Sequence, residues 1–243
     1  MKKLLIFSQS ISAIALAGLG ILCFVMKDFI LGRPPQFANT HLLNPALGFL
    51  SGAIIILCCL AMMMRWRGDV AALIIAGLIV GLTLSRQVPV FTTDWLNALK
   101  SLAMVGGLLI VAASFGTRKS SVLIFVGTVL LAIFFMACAY AHVQFFDFVK
   151  GFIPAYIPFH GFFAYFTALC LFCGGIGILN PPTRRLAAML SGVMLLGWFL
   201  MLHIPRFINN IHDASDQMGL FESLAFAGFF FVLASVSSHP KKG

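Results

Sequence analysis

Charge is what this sequence has least of. It holds sixteen Lys and Arg and seven Asp and Glu, so 9% of its 243 residues are charged, against about 25% in an average soluble domain. Sixty-one per cent of the chain is hydrophobic and its mean hydropathy is +1.04. So few charges cannot cover a water-soluble fold of this length, which excludes a soluble enzyme. Polar stretches long enough for a separate soluble domain are missing. A P-loop and the glycine fingerprint of a dinucleotide fold are missing too. The alternation of polar and apolar residues that a membrane β-barrel needs is also absent.

What is present is a set of long, continuously apolar runs. A membrane helix takes roughly 20 such residues. Eight windows qualify, at about 5–25, 43–63, 70–89, 97–115, 121–141, 157–179, 185–205 and 220–237. The sequence therefore predicts an all-α fold, a polytopic transmembrane helical bundle of eight helices in contact with the lipid bilayer.

The segments between the windows differ in charge. The N-terminus, the turns after helices 2, 4 and 6, and the C-terminus carry Lys2, Lys3, Arg65, Arg67, Arg118, Lys119, Arg184, Arg185, Lys241 and Lys242 against one acid, Asp69. The other side carries Lys27, Arg33, Arg86, Lys100, Lys150 and Arg206 with Asp28, Asp94, Asp147, Asp213, Asp216 and Glu222. The positive-inside rule puts the first set, and with it both termini, in the cytoplasm, and the chain in the inner (cytoplasmic) membrane. The net charge of +9 is then a topology signal, and no nucleic-acid partner is expected. Met1-Lys2-Lys3 and the apolar run after it imitate a signal peptide. That run lacks a convincing cleavage site, and Leu22 stands before Cys23 where a lipoprotein signal needs a small residue. Helix 1 is expected to be retained.

The chain also repeats itself. Lys100-Ser-Leu-Ala-Met-Val-Gly106 matches Glu222-Ser-Leu-Ala-Phe-Ala-Gly228, and Leu84–Pro89 with Phe91 matches Leu200–Pro205 with Phe207. Pro45-x-x-Gly48-Phe49 matches Pro158-x-x-Gly161-Phe162, and Asp28-Phe-Ile-Leu-Gly32 matches Asp147-Phe-Val-Lys-Gly151. The order is the same in both halves. It predicts two four-helix units, 1–116 and 118–238, joined by the basic turn Thr117-Arg-Lys-Ser120. With an even number of helices in each, the two units form a parallel repeat about an axis along the membrane normal. Lys100 and Glu222 are repeat equivalents of opposite charge. They pair if the starts of helices 4 and 8 face each other across that axis, and otherwise stand as separate interfacial charges. Small residues four apart, Gly48 and Gly52, Gly77 and Gly81, Ala103 and Gly107, and Ala188 and Gly192, point to close helix packing inside the bundle rather than to an oligomer interface.

Residues 157–206 run Ile-Pro-Phe-His-Gly-Phe-Phe-Ala-Tyr-Phe-Thr, a glycine-rich stretch ending Gly-Ile-Leu179, a break with Thr183-Arg-Arg-Leu-Ala-Ala, and a helix ending Leu202-His203-Ile204-Pro205-Arg206. This pattern resembles the DoxX family of membrane proteins over about 121–238, and more faintly over the first half, which would be a diverged copy. The resemblance implies a four-helix unit and a link to membrane redox chemistry, including quinone-linked oxidation. It supplies no catalytic motif that transfers residue by residue.

Polar residues at the ends of membrane spans are the candidates for chemistry. In the second unit these are His142, Asp147, His160, His203, Arg206 and Glu222. The duplication sets Cys23 opposite His142, Leu47 opposite His160 and Gln87 opposite His203, so the histidines belong to the second unit alone. Imidazole is a common ligand and titrates near physiological pH. The residues His142, His160, His203, Arg206 and Glu222 either form one ligand pocket or make ordinary interfacial hydrogen bonds. In the pocket reading His203 binds the ligand or exchanges a proton with it, Arg206 holds an electronegative group, and Glu222 orients one of them. No metal site is assigned. Cys170-x-x-Cys173 lies within helix 6 and reads as packing. The cluster Phe159, Phe162, Phe163, Tyr165 and Phe166 either lines a quinone or lipid-tail pocket or faces lipid.

Three functions remain open: a redox-linked, quinone-interacting accessory protein; a carrier or binding protein for a small apolar or lipidic molecule; and a structural partner of another membrane protein complex.

Overall fold

A computed structural model of the chain describes residues 2–36, 43–116 and 120–237. The charges at Arg118, Lys119, Lys241 and Lys242, most of the basic turn at 117–120, and the outer limits of the two units at Met1 and Ser238 lie outside the described residues. No strand occurs among the described residues. Eight helices are long and apolar enough to span a bilayer: α1 (Lys2–Met26), α2 (Leu43–Met63), α3 (Gly68–Val90), α4 (Trp95–Phe115), α5 (Ser121–Gln144), α6 (His160–Leu179), α7 (Pro181–Asn209) and α8 (Ala214–Val236). A short helix, Phe146–Phe152, lies between α5 and α6.

The observed ends exceed the apolar windows where polar residues begin or finish a helix. α8 starts at Ala214, six residues before its window, because the Asp213 side chain caps it by accepting a 2.8 Å bond from the Asp216 backbone N–H. Asp216 and Glu222 are therefore helical. α7 continues through Pro205. A proline inside a helix lacks its N–H and crowds the carbonyl four residues earlier. Here a π-helical turn, Phe199–His203, precedes it and loosens that ladder. A second π turn, Ile79–Leu84, precedes Pro89 in α3.

Consecutive helices pack against one another along the whole chain, and α8 closes the bundle by packing on α1, α4 and α7. Gly18 lies against Phe221 and Gly228 against Ser12, so α1 and α8 run antiparallel. Lys2 and Val236 thus share one end of the bundle, and the segment after Met26 lies at the other, here called the distal end. α8 is the most enclosed helix, with 83% of its apolar window buried. Its phenylalanines explain why. Phe229 fills a notch at Gly107 of α4, Phe231 one at Gly192 of α7, and Phe230 lies against Phe135 of α5 at 4.3 Å between ring centroids.

The small-residue pairs divide in the same way. A Cβ on Gly52 would meet the Gly20 carbonyl oxygen at 2.8 Å, so α1 and α2 touch backbone to backbone. Gly77 and Gly81 have nothing within 4 Å of a Cβ and lie on the outer surface of α3. Phe159, just before α6, and Phe162, Phe163, Tyr165 and Phe166 on it are exposed on the outer surface of the bundle.

Candidate functional site

The distal end is built around a short buried coil. Beyond α1, residues Asp28, Phe29, Ile30 and Leu31 turn back into the bundle and are buried. Phe29, Ile30 and Leu31 are too few to form a helix, but apolar enough to be drawn between α3 and α4. Burying a coil leaves its carbonyl groups in need of donors, and side chains of α3 and α4 provide them. Thr83 Oγ1 donates to Leu31 O at 2.6 Å, Gln87 Nε2 to Gly32 O at 2.8 Å, and Arg86 Nη2 to Phe29 O at 2.6 Å. Ser101 Oγ of α4 donates to Gln87 Oε1 at 2.9 Å. Gly32 has φ +79°, in the left-handed region, and a side chain there would run into Ser101. The π turn of α3 lies beside this coil and includes Thr83.

Three sets of ion pairs surround the coil. Arg86 Nη1 meets Asp28 Oδ1 at 3.0 Å and Oδ2 at 3.1 Å, and both side chains are almost fully buried. Arg206 Nε donates to Asp216 Oδ1 at 2.8 Å, Asn210 Nδ2 reaches Oδ2 of the same carboxylate at 3.1 Å, and the guanidinium carbon lies 4.1 Å from the Phe152 ring centroid. The third set is central. Glu222 of α8 receives Arg33 Nη2 at 2.9 Å and Lys100 Nζ at 3.1 Å on one oxygen, Oε2. Arg33 Nε also faces this carboxylate, at 3.1 and 3.3 Å, and Arg33 Nη1 donates to Ser215 Oγ at 2.7 Å. Burial works against the Arg33 charge, but the Glu222 carboxylate more than offsets it and holds the guanidinium pKa above its ordinary value.

His203 lies beside this triad. A Cβ placed on Gly219 would lie 3.0 Å from His203 Nδ1 and 3.5 Å from Arg33 Nη2, so Gly219 leaves room for both side chains one turn before Glu222. The ring is half-buried and makes no hydrogen bond or ion pair among the described residues. The distal end thus collects His203, Arg206 and Glu222 from the expected set, and adds Arg33, Lys100 and Asp216.

The other two histidines are held elsewhere. His142 Nδ1 bonds the Cys138 carbonyl of its own helix at 2.8 Å, and its ring lies against Trp198 of α7, 6.3 Å between centroids. His160 Nε2 bonds the Pro154 carbonyl at 3.1 Å. Neither is bonded to the Glu222 triad. Tyr156, from the segment that carries Pro154, donates its hydroxyl to the Met201 carbonyl within the π turn of α7. Gln87, which the sequence match sets opposite His203, is buried and ties the coil to α4. The segments matched in the sequence, Asp28–Gly32 and Asp147–Gly151, also differ. The first is buried coil, and the second lies in the short outer helix. Arg86, which holds Asp28, aligns with Leu202, so Asp147 has no matching cation there.

An open cleft of about 390 Å³ lies beside Arg33; Glu222, Lys100 and His203 do not line it. Met26, Ile30 and Met218 give it apolar walls, and Asp28, Arg33 and Gln36 add polar groups. Among the described residues, no group of three or more His, Cys, Asp or Glu is placed to hold a metal ion. Cys170 and Cys173 are free thiols.

The eight spans and a buried polar cluster at one end define a multi-pass integral membrane protein. Comparisons with family models, curated proteins and solved structures find no match to this chain.

Proposed function

We propose that the protein binds a small amphipathic molecule at its distal end, with a polar head beside His203 and the Arg33–Glu222–Lys100 triad and an apolar body in the cleft and the adjoining lipid. The observation that carries this reading is His203. A half-buried imidazole with no hydrogen-bond partner among the described residues stands where three ion-paired groups converge. An ionisable side chain within a membrane-spanning helix is a functional-site candidate by default, and His203 lies within α7. A quinone has a head and tail of this kind, and the likeness to the DoxX family favours it. The protein is then a redox-linked accessory of the inner membrane, with both termini cytoplasmic.

The reading takes the chain as two four-helix units, 1–116 and 118–238. Its support is the neighbour pattern. The packing of α1 on α2, α2 on α3 and α3 on α4 recurs as α5 on α6, α6 on α7 and α7 on α8, and α4 on α5 recurs as α8 on α1.

Gentle purification followed by mass spectrometry and an absorption spectrum tests the binding function. A retained amphipathic molecule, lost in His203→Ala, is the expected result. Equal retention by wild type and His203→Ala removes His203 from the site.

A further inference from the structure

We infer that Tyr156 positions His203: its hydroxyl takes the place of the backbone donor that Pro205 lacks, and so fixes the turn of α7 from which the imidazole projects. This rests on the binding function proposed above and adds a positioning residue to that site.

A side chain with no bond of its own goes where its backbone puts it. His203 is such a side chain among the described residues, and it is the last residue of the π turn Phe199–His203. In a regular α-helix the Met201 carbonyl accepts from the N–H four residues on. Here that residue is Pro205, which has no N–H to give. A carbonyl freed in this way within a membrane span needs another donor, and the Tyr156 hydroxyl donates to it. Tyr156 is 60% exposed, so the hydroxyl rather than burial of the ring accounts for its hold on α7.

The segment that carries Tyr156 is itself fastened. The Pro154 carbonyl accepts from the Ile157 N–H at 2.9 Å and from His160 Nε2 at 3.1 Å, which ties the turn around Tyr156 to the start of α6. Phe146 stacks on Tyr165 of α6, 4.6 Å between ring centroids. Phe152 of the same segment lies against the Arg206 guanidinium, which is bonded to Asp216 of α8. The segment thus grips α7 on both sides of His203, at the Met201 carbonyl before it and at Arg206 after it. A fixed support of this kind delivers an otherwise unbonded imidazole to one place beside Gly219 and Arg33.

The test uses the full chain in lipid nanodiscs, with empty nanodiscs subtracted. Its readouts are the NMR signals of isotope-labelled histidine ring nitrogens, assigned by their loss in His203→Ala and His142→Ala, and the affinity for a decyl-substituted benzoquinone. Tyr156→Phe keeps the ring and should fold. It should move the His203 signal, leave that of His142 in place, and weaken quinone binding about three- to tenfold. Pro205→Ala restores the missing N–H, so adding Tyr156→Phe to it should change neither readout further. An unmoved His203 signal or an unchanged affinity in Tyr156→Phe overturns the inference and leaves the function standing. So do His203 and His142 signals that move together, which would show a general loosening, and an equal effect of Tyr156→Phe with and without Pro205. Should Pro205→Ala fail to fold, Tyr156→Phe against wild type decides. No saturable quinone binding by wild type, or equal binding by His203→Ala, overturns the function, while the His203 signal still decides the role of Tyr156.

Discussion

Lys100 Nζ stands 3.1 Å from Glu222 Oε2, across the contact between α4 and α8. The same oxygen accepts Arg33 Nη2 at 2.9 Å, so one carboxylate joins α4, α8 and the coil after α1. Removing the carboxylate leaves two buried cations facing each other, whereas removing Lys100 leaves a neutral pair. Glu222→Gln should therefore lower stability by about 3–5 kcal/mol, and Lys100→Met by clearly less. The double variant should recover part of the Glu222→Gln loss. Unfolding in increasing sodium dodecyl sulfate measures all three, and additive losses would show that the two side chains do not interact.

The buried coil depends on Gly32. Its left-handed backbone and its contact with Ser101 leave no room for a side chain. Gly32→Ala should cost about 1–3 kcal/mol and loosen the coil from Gln87 and Thr83. Hydrogen exchange at residues 28–33 should rise in the variant. Unchanged exchange and unchanged stability would mean that the coil is not held as described.

Much of this architecture is legible in the sequence, because apolar runs of membrane length permit few alternatives. The Lys100–Glu222 pair is legible only as one of two alternatives, because the alignment of two Ser-Leu-Ala segments equally allows separate interfacial charges. Arg33 is not. It belongs to a segment with neither helical nor alternating periodicity, and its partner is 189 residues away. One signal was available: Phe29-Ile-Leu31, a run too short for a helix and bracketed by Asp28 and Arg33, has the composition of a buried coil fastened by ion pairs. Gln87 shows the limit of arguing from repeats. Alignment sets it opposite His203, yet Gln87 is committed to Gly32 and Ser101 whereas His203 has no such bonds. The continuation of α7 past Pro205 also escapes a hydropathy window, because a π turn depends on local backbone accommodation rather than composition.

Glycines should behave according to what faces them. Gly107→Ala forces Phe229 out of its notch and should destabilise by about 1–3 kcal/mol. Gly77→Ala meets open space and should be neutral or gain up to about 1 kcal/mol from the helix backbone. Melting temperatures of the two variants in the same detergent give the comparison. A large loss for Gly77→Ala would indicate that another chain covers that face.

Orientation can be tested with single cysteines on a cysteine-free background. Substitutions at Lys3, Arg67 and Arg184 should be shielded from an impermeant thiol reagent in intact cells, and substitutions at Lys27, Asp94 and His212 should react. Labelling of the first three from outside would reverse the proposed topology.

The proposed ligand site is bounded by His203, Arg33 and Gly219. Gly219→Val would fill the space that both side chains occupy, without altering charge or the apolar length of α8. The most direct measurement is native mass spectrometry of wild type and Gly219→Val released from the same lipid nanodiscs. The wild-type spectrum should contain a bound species that is absent from the folded variant. An identical bound population in both proteins, or none in the wild type, would rule out a ligand site at Gly219.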